Sequence, residues 1–319
     1  MEKELMTEGL RKSVDIILPA YNEELALQST LEKISKELPR DGYKFTFIVV
    51  DDGSEDKTWQ ELLLLKESYG ETLQGVKLSR NFGKESAMFA GISRARDRGV
   101  DAVIIMDSDL QHPPSVLKSM LYHWDNDEFK IVQGVKKYSA SESFCKVVFS
   151  SLFYSVFSKI SRLELKAESD FKLLDKVVVE CLSNLKERNL FFRGLSSWIG
   201  YKSMSIEFDV QEREYGDTKW SFFSLLKYSI GNITSFSSRP LMLVLLLALG
   251  YLLLSCYLII KTLYLHFLGF NYQGYSTILI LISITGMCVL FSMGIMGIYV
   301  SKLYEEVKGR PRYLIEDTI

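Results

Sequence analysis

The chain is poor in the residues that build metal cages and disulfide frameworks. Its four cysteines, Cys145, Cys181, Cys256 and Cys288, are scattered over 319 residues with no C-x-x-C pair. That argues against a zinc site or a disulfide scaffold and fits a reducing compartment. The three histidines, His112, His123 and His266, make no ligand-like cluster. An excess of one charge is missing too. Lys and Arg number 38 against 40 Asp and Glu, for a net charge of -2 and a pI near 6.1, so bulk charge does not point to nucleic acid. There is no G-x-x-x-x-G-K-[ST], which excludes a P-loop, and no G-x-G-x-x-G after a strand. A bound nucleotide would therefore be held by metal and side chains rather than by a glycine cradle. Repeats, low-complexity tracts and long linkers are absent as well.

What the chain does have is a sharp asymmetry. Up to about residue 238 it reads as soluble α/β sequence. From Leu241 it changes: LMLVLLLALGYLLLSCYLII carries no charge, and about 20 such residues suffice for a helix to cross the hydrocarbon core. STILILISITGMCVLFSMGIMGIYV, Ser276 to Val300, is a second such run. A pair of buried core helices is the alternative. The expected organisation is a catalytic domain over 1–238 and a membrane domain over 239–319, with spans near 241–262 and 276–300 and a C-terminal tail. Arg239 precedes the first span, while Lys302, Lys308, Arg310 and Arg312 follow the second. The positive-inside rule then puts both termini in the cytoplasm. The N-terminus MEKELMTEGLRKS is polar, so no signal peptide is expected before the soluble part.

Within the soluble part, strands alternate with helices. SVDIILPAYNEE, KFTFIVVDDGSEDKT, LQGVKLSRNFGKES and DAVIIMDSD each read as a strand running into a polar loop. This α/β alternation implies a mostly parallel, Rossmann-like sheet with ligands at the carboxyl ends of its strands. The clusters PAYNEE, DDGSED, RNFGKE and DSDLQ all fall at those ends. Two further stretches, 144–163 and 218–236, are apolar and aromatic but carry lysines and serines. They are too polar to span and read as core helices or as helices lying in the membrane interface.

The chemistry-bearing stretch is AVIIMDSDLQHPP. Asp107 and Asp109 are like charges one residue apart, a costly arrangement unless something cancels the repulsion. One reading is a polar strand end closed by the Pro-Pro turn. The other is a site for Mg²⁺ or Mn²⁺, hard cations that take one or two carboxylates plus substrate phosphates, with Gln111 adding a neutral oxygen. Asp51-Asp52-Gly53-Ser54 is equally double. Such an acid at the end of a second strand can accept from a ribose or base, but an Asx turn needs no ligand.

In this order, LPAYNEE, VVDDGSEDKT, LSRNFGKESA, MDSDLQHPP, ESDFKLLDK, NLFFRGLSSWIGYK and REYGDTKW resemble the family-2, GT-A-fold glycosyltransferases that load a sugar onto a polyprenyl phosphate. The likeness is to the GtrB type and, more distantly, to dolichyl-phosphate mannose synthase. It covers nearly the whole chain. The resemblance implies that Pro19, Tyr21 and Glu23, with Val50 and Asp52, contact the nucleoside. It assigns Asp107, Ser108 and Asp109 to the metal-diphosphate segment and Gln111 to the metal. Lys136 stands where relatives carry arginine, keeping the charge but not the bidentate fork. Arg213, Lys219 and Arg193 match basic residues that clamp phosphates.

Asp170 matches an aspartate important to catalysis. A lipid phosphate is already ionised near neutral pH, so Asp170 is expected either to orient the sugar or to stabilise positive charge at the anomeric carbon. The implied reaction is inverting transfer from a UDP-sugar, with glucose the first choice, to undecaprenyl phosphate at the cytoplasmic face of a bacterial inner membrane. N-acetylglucosamine, galactose, or mannose from GDP-mannose are the alternatives. The implied partners are the UDP-sugar, the polyprenyl phosphate, membrane lipid, a flippase for the product and further copies of the chain. A processive glycan synthase shares the early motifs, but the Q-x-x-R-W segment and extra spans are not seen. A membrane-tethered receiver-like domain would leave Gln111, REYGDTK and Asp170 without a purpose.

Overall fold

The computed structural model describes residues 11–137, 168–188, 190–209, 231, 233–235, 237–268 and 274–319. Both candidate interfacial segments fall outside these, apart from 231 and 233–235, which are helical. The chain divides into two compact units, Met1–Ser221 with Pro311–Ile319, and Phe222–Arg310.

The first unit is built on one eight-stranded sheet of order β7-β5-β6-β4-β1-β2-β3-β8. The strands are β1 (Lys12–Ala20), β2 (Tyr43–Asp51), β3 (Leu73–Leu78), β4 (Ala102–Ile105), β5 (Ile131–Lys136), β6 (Glu168–Asp175), β7 (Ser203–Phe208) and β8 (Ile315–Thr318). β1 pairs in parallel with β2 and β4, and β2 with β3. β6 runs antiparallel between β4 and β5, and β5 pairs in parallel with β7. The sheet is therefore mixed and mostly parallel. The central strands are rich in apolar residues because both faces are covered: Val14, Ile16, Ile17 and Leu18 of β1 and Ile48, Val49 and Val50 of β2 are fully buried, with Asp15 and Thr46 among them paired to Arg98.

Helices α1 (Leu27–Glu37), α2 (Thr58–Tyr69), α3 (Lys84–Arg98), α4 (Leu117–Asn126), α5 (Lys176–Asn184) and α6 (Phe192–Trp198) complete this unit. α1 shows why: it buries Leu27, Thr30, Leu31 and Ile34, one face at helical spacing. α5 starts where Asp175 ends β6 and accepts a hydrogen bond from the Val177 amide at 3.1 Å, an N-cap. Successive strands step outward from β1 to β3, then the chain crosses back to β4 on the other side of β1. In open α/β sheets ligands bind at such a switch point, here outside the carboxyl ends of β1 and β4.

The expected boundary at 238 differs from the structure at the C-terminus. β8 pairs antiparallel with β3, and Ile319 exchanges backbone hydrogen bonds with Gly75 at 3.0 and 3.1 Å. The final residues thus belong to the first unit. The reason lies in β3, which would otherwise be a bare edge. Gly75 leaves the space: a Cβ there would lie 2.7 Å from side-chain atoms of Ile319 and Leu62.

The second unit contains α7 (Arg239–Phe267) and α8 (Tyr275–Val307). Within them, 239–265 and 280–307 have mean hydropathies of 2.7 and 2.1 and bury none of their apolar windows inside the protein. They are not core helices. Both are long and apolar enough to cross a membrane. They meet through Tyr251 and Thr285, whose hydroxyls are hydrogen-bonded, and the Tyr299 hydroxyl donates to the Ser237 carbonyl at 2.7 Å.

Candidate active site

The D-x-D turn leaves β4 at the switch point and is held from three sides. The Asp107 amide donates to His112 Nδ1 at 3.1 Å. The Ser108 hydroxyl donates to the Pro19 carbonyl at 3.2 Å, and Thr30 Oγ1 donates to the Ser108 carbonyl at 2.8 Å. The Gln111 amide donates to Asp109 Oδ1 at 3.1 Å, which closes the turn while Leu110 takes a φ of 58°. His112 is buried and stacked on Phe171, with ring centroids 4.9 Å apart. Burial pushes its pKa down, which keeps Nδ1 free to accept.

β6 brings in Asp170. The β4–β6 register pairs Ile105 with Lys172. Continued two residues along the antiparallel strands, it sets Asp107 opposite Asp170, two like charges that would destabilise the pair unless compensated. Lys84, the first residue of α3, compensates both. Its ammonium lies 2.6 Å from Asp107 Oδ1 and 2.9 Å from Asp170 Oδ2. Arg193 on α6 grips Asp170 from the other side, Nε to Oδ1 at 2.8 Å and Nη2 to Oδ2 at 3.1 Å. Burial alone would raise both carboxyl pKa values. Arg193 and Lys84 instead hold Asp170 well below the usual carboxylate range, and Lys84, then His112, lower the Asp107 pKa. Burial likewise works against the Lys84 ammonium, but Asp107 and Asp170 keep it above the ordinary lysine range. Lys136, at the end of β5, feels this cluster too: burial and then the Arg193 charge push its pKa down, while Asp107 and Asp109 oppose them.

The first two loops interlock beside this cluster. The Asn22 amide donates to Ser54 Oγ at 2.9 Å, the Glu23 amide to Thr58 Oγ1 at 2.8 Å, and the Glu55 amide to Asn22 Oδ1 at 2.9 Å. Asp51 accepts from the Ser54 amide, three residues on, at 2.9 Å, so this carboxylate closes the DDGS turn locally. Asp52 accepts from the Phe82 and Gly83 amides at 2.7 and 2.9 Å and so fixes the loop that delivers Lys84. Burial raises the Asp52 pKa to about 6 despite those two bonds. Gly53 is required by this packing. Its φ is +66°, and a Cβ would lie 2.3 Å from the Arg80 carbonyl carbon.

Of the residues expected at the site, Asp107, Asp109, Gln111, Lys136, Asp170 and Arg193 come together around the β4 end. Tyr21 and Glu23 are partly exposed on the adjoining loop. Pro19 and Val50 are register partners within the sheet, and Val50 is fully buried. Ser108 is buried and spends its hydroxyl on Pro19. Arg213 and Lys219 lie outside the described residues. Two residues of this cluster, Lys84 and His112, are not singled out by the sequence. Lys84 had one available signal, a lone cation where a glycine loop enters a helix at a strand's carboxyl end.

The model of the family described as "Glycosyl transferase family 2" matches residues 15–168. A putative glycosyltransferase of Bacillus subtilis, CsbB, is 34% identical over 315 residues, covering 98% of this chain and 93% of its own. The chain belongs to glycosyltransferase family 2. An uncharacterized glycosyltransferase of Synechocystis is also 34% identical, over 312 residues and 95% of both chains. The prophage-derived bactoprenol glucosyl transferase of Shigella flexneri is 31% identical over 308 residues, 95% of this chain and 97% of its own. Among solved structures, glucosyl-3-phosphoglycerate synthase from Mycobacterium tuberculosis aligns with a TM-score of 0.47 and 18% identity, over 73% of this chain and 80% of that one. This glycosyltransferase thus combines a mostly parallel α/β unit, in which the family match falls, with two candidate membrane spans.

Proposed function

We propose that this glycosyltransferase moves a sugar, glucose in the first instance, from a UDP-sugar to the phosphate of a polyprenyl carrier. The observation that carries this reading is full-length similarity, paired apolar helices included, to a bactoprenol glucosyl transferase. An acceptor whose tail stays in the bilayer gives those helices a purpose: anchoring turns a three-dimensional search into a local encounter. The cations flanking α7 and α8 support, by the positive-inside rule, a reading in which both ends of the helix pair and the catalytic unit lie on the cytoplasmic side of the inner membrane. The lipid-linked product would then need a flippase.

The residues at the β4 end fit a divalent cation. Asp107, Asp109 and Gln111 supply hard oxygen donors, and Asp107 Oδ1 is buried with no hydrogen bond beyond its ionic contact with Lys84. Among the described residues no group of three or more His, Cys, Asp or Glu side chains forms a metal cage. Mg²⁺ commonly takes one or two carboxylates and completes its shell with water and substrate phosphates. Bound there, Mg²⁺ or Mn²⁺ would neutralise charge on the departing diphosphate. Arg193 and Lys136, with Arg213 and Lys219, would clamp phosphates. The first-loop residues Pro19, Tyr21 and Glu23, with Val50 and Asp52 behind them, would hold the nucleoside, and Ser108 would hold the turn against Pro19. The acceptor phosphate attacks the anomeric carbon in line with the leaving UDP, which inverts that centre. Asp170 does not serve as a base here. Both its oxygens are already engaged by cations, and an ionised phosphate needs no deprotonation. Its role is to orient the cations around the sugar.

The test is transfer of radiolabel from a panel of UDP-sugars to undecaprenyl phosphate by purified protein in detergent with Mg²⁺ or Mn²⁺. The expected result is one sugar entering the organic phase, abolished by EDTA and by Asp109→Ala in a protein with unchanged melting temperature. Full activity in that variant removes the metal assignment. No transfer from UDP-, GDP- or dTDP-sugars overturns the acceptor reading.

A further inference from the structure

Arg193, Asp170, Lys84 and Asp107 form one line of alternating charge, with contacts of 2.8, 2.9 and 2.6 Å. Lys84 is its pivot. Its backbone is set by the preceding loop, which the Asp52 carboxylate fixes through the Phe82 and Gly83 amides. Its ammonium is shared between two carboxylates rather than committed to one. On one side it touches a carboxylate assigned above to the divalent ion. On the other it touches Asp170, which no part of that assignment requires as a ligand. A monovalent and a divalent cation a few ångström apart at one carboxylate repel each other strongly when partly desolvated. Both cannot hold Asp107 on equal terms. Without either, Asp107 would lose its cation and repel Asp170, which would keep only Arg193.

We propose that Lys84 is a positioning residue that holds the place of the divalent ion. In the metal-free enzyme it neutralises Asp107 and keeps Asp107 and Asp170 in register. It competes with the incoming ion for Asp107, and on ion binding it keeps its hold on Asp170. This inference rests on the metal part of the function proposed above. It carries a sign that a merely structural lysine would not: removing it should strengthen metal binding while weakening turnover.

The experiment titrates the full chain in detergent with Mn²⁺ alone and reads free Mn²⁺ by electron paramagnetic resonance. Melting temperature and transfer kinetics are followed in parallel. Lys84→Met should bind Mn²⁺ about tenfold tighter than wild type, since a nearby positive charge has gone. Its kcat should fall by more than its donor KM changes. Lys84→Arg, which keeps the charge, should restore the wild-type Mn²⁺ affinity. Lys84→Gln gives the same readout as Lys84→Met should the latter fail to fold. Unchanged or weaker Mn²⁺ binding in a charge-removing variant that melts like wild type overturns the inference alone. Wild-type protein that binds no Mn²⁺ overturns the metal assignment and this inference with it.

Discussion

Asp170→Asn tests whether the acidic centre works by holding cations or by moving a proton. The carboxylate accepts three charge-assisted hydrogen bonds, at 2.8, 2.9 and 3.1 Å. Bonds to charged groups are worth about 1.5–3 kcal/mol each. However, Arg193 and Lys84 keep 30% and 43% of their side chains exposed, so they recover hydration when the partner goes. We therefore expect a stability loss of about 2 kcal/mol, short of the ~3–5 kcal/mol for breaking a fully buried pair. Turnover should fall further, by about 10²–10³-fold, the range for losing one preorganised electrostatic contact. The pH dependence separates the two roles. Burial raises the Asp170 pKa, but Arg193 and Lys84 outweigh it and leave it well below the ordinary value. A depressed folded-state pKa means that the stabilisation is complete above about pH 4 and fades only as pH falls further. The stability gap between wild type and variant should thus stay flat between about pH 5 and 8 and close in acid. Thermal unfolding across that range, with kcat profiles for both proteins, is the assay. A near-neutral acidic limb in wild-type kcat that vanishes in Asp170→Asn would make Asp170 a base and refute the reasoning.

Three further outcomes follow from the same geometry. Gly53→Ala meets the Arg80 backbone at 2.3 Å with φ at +66°; it should lower stability by at least about 1–3 kcal/mol and raise the donor KM, read by melting and steady-state kinetics. Deleting 311–319 removes the strand that covers β3 and the Ile319 side chain packed at Gly75. It should cost about 2 kcal/mol, one partly buried Ile, and promote aggregation visible by light scattering. Asp52, with a pKa raised to about 6, loses its charge as pH falls through that value. It then holds the Phe82 and Gly83 amides less well, so UDP affinity by calorimetry should decline below about pH 6 in wild type and be weak at every pH in Asp52→Asn.

Much of this arrangement is legible in the sequence wherever it depends on local pattern. The buried strands declare themselves as apolar runs, SVDIILPA above all, and the two helices of the second unit as uncharged stretches. The β8 strand does not, because LIEDTI is short and polar and becomes a strand only through the open edge of β3. The site divides the same way. Asp107, Asp109 and Asp170 stand out by residue type at strand ends, but residue type leaves their roles open. An isolated carboxylate in a cleft reads as a base, whereas one held by two cations is an anchor. That difference lies in partners distant along the chain, Arg193 at 23 residues and Lys84 at 86. The partners meet for a topological reason. β6 inserts antiparallel beside β4, and its register, carried two residues past the Ile105–Lys172 pair, brings Asp170 opposite Asp107. Once two carboxylates are set facing each other, a cation between them is an electrostatic necessity. Lys84 meets it in the protein alone. A site already neutralised by its own lysine gives up part of that neutralisation when a metal binds. Its metal affinity is then set by competition at Asp107 as much as by the number of oxygen donors.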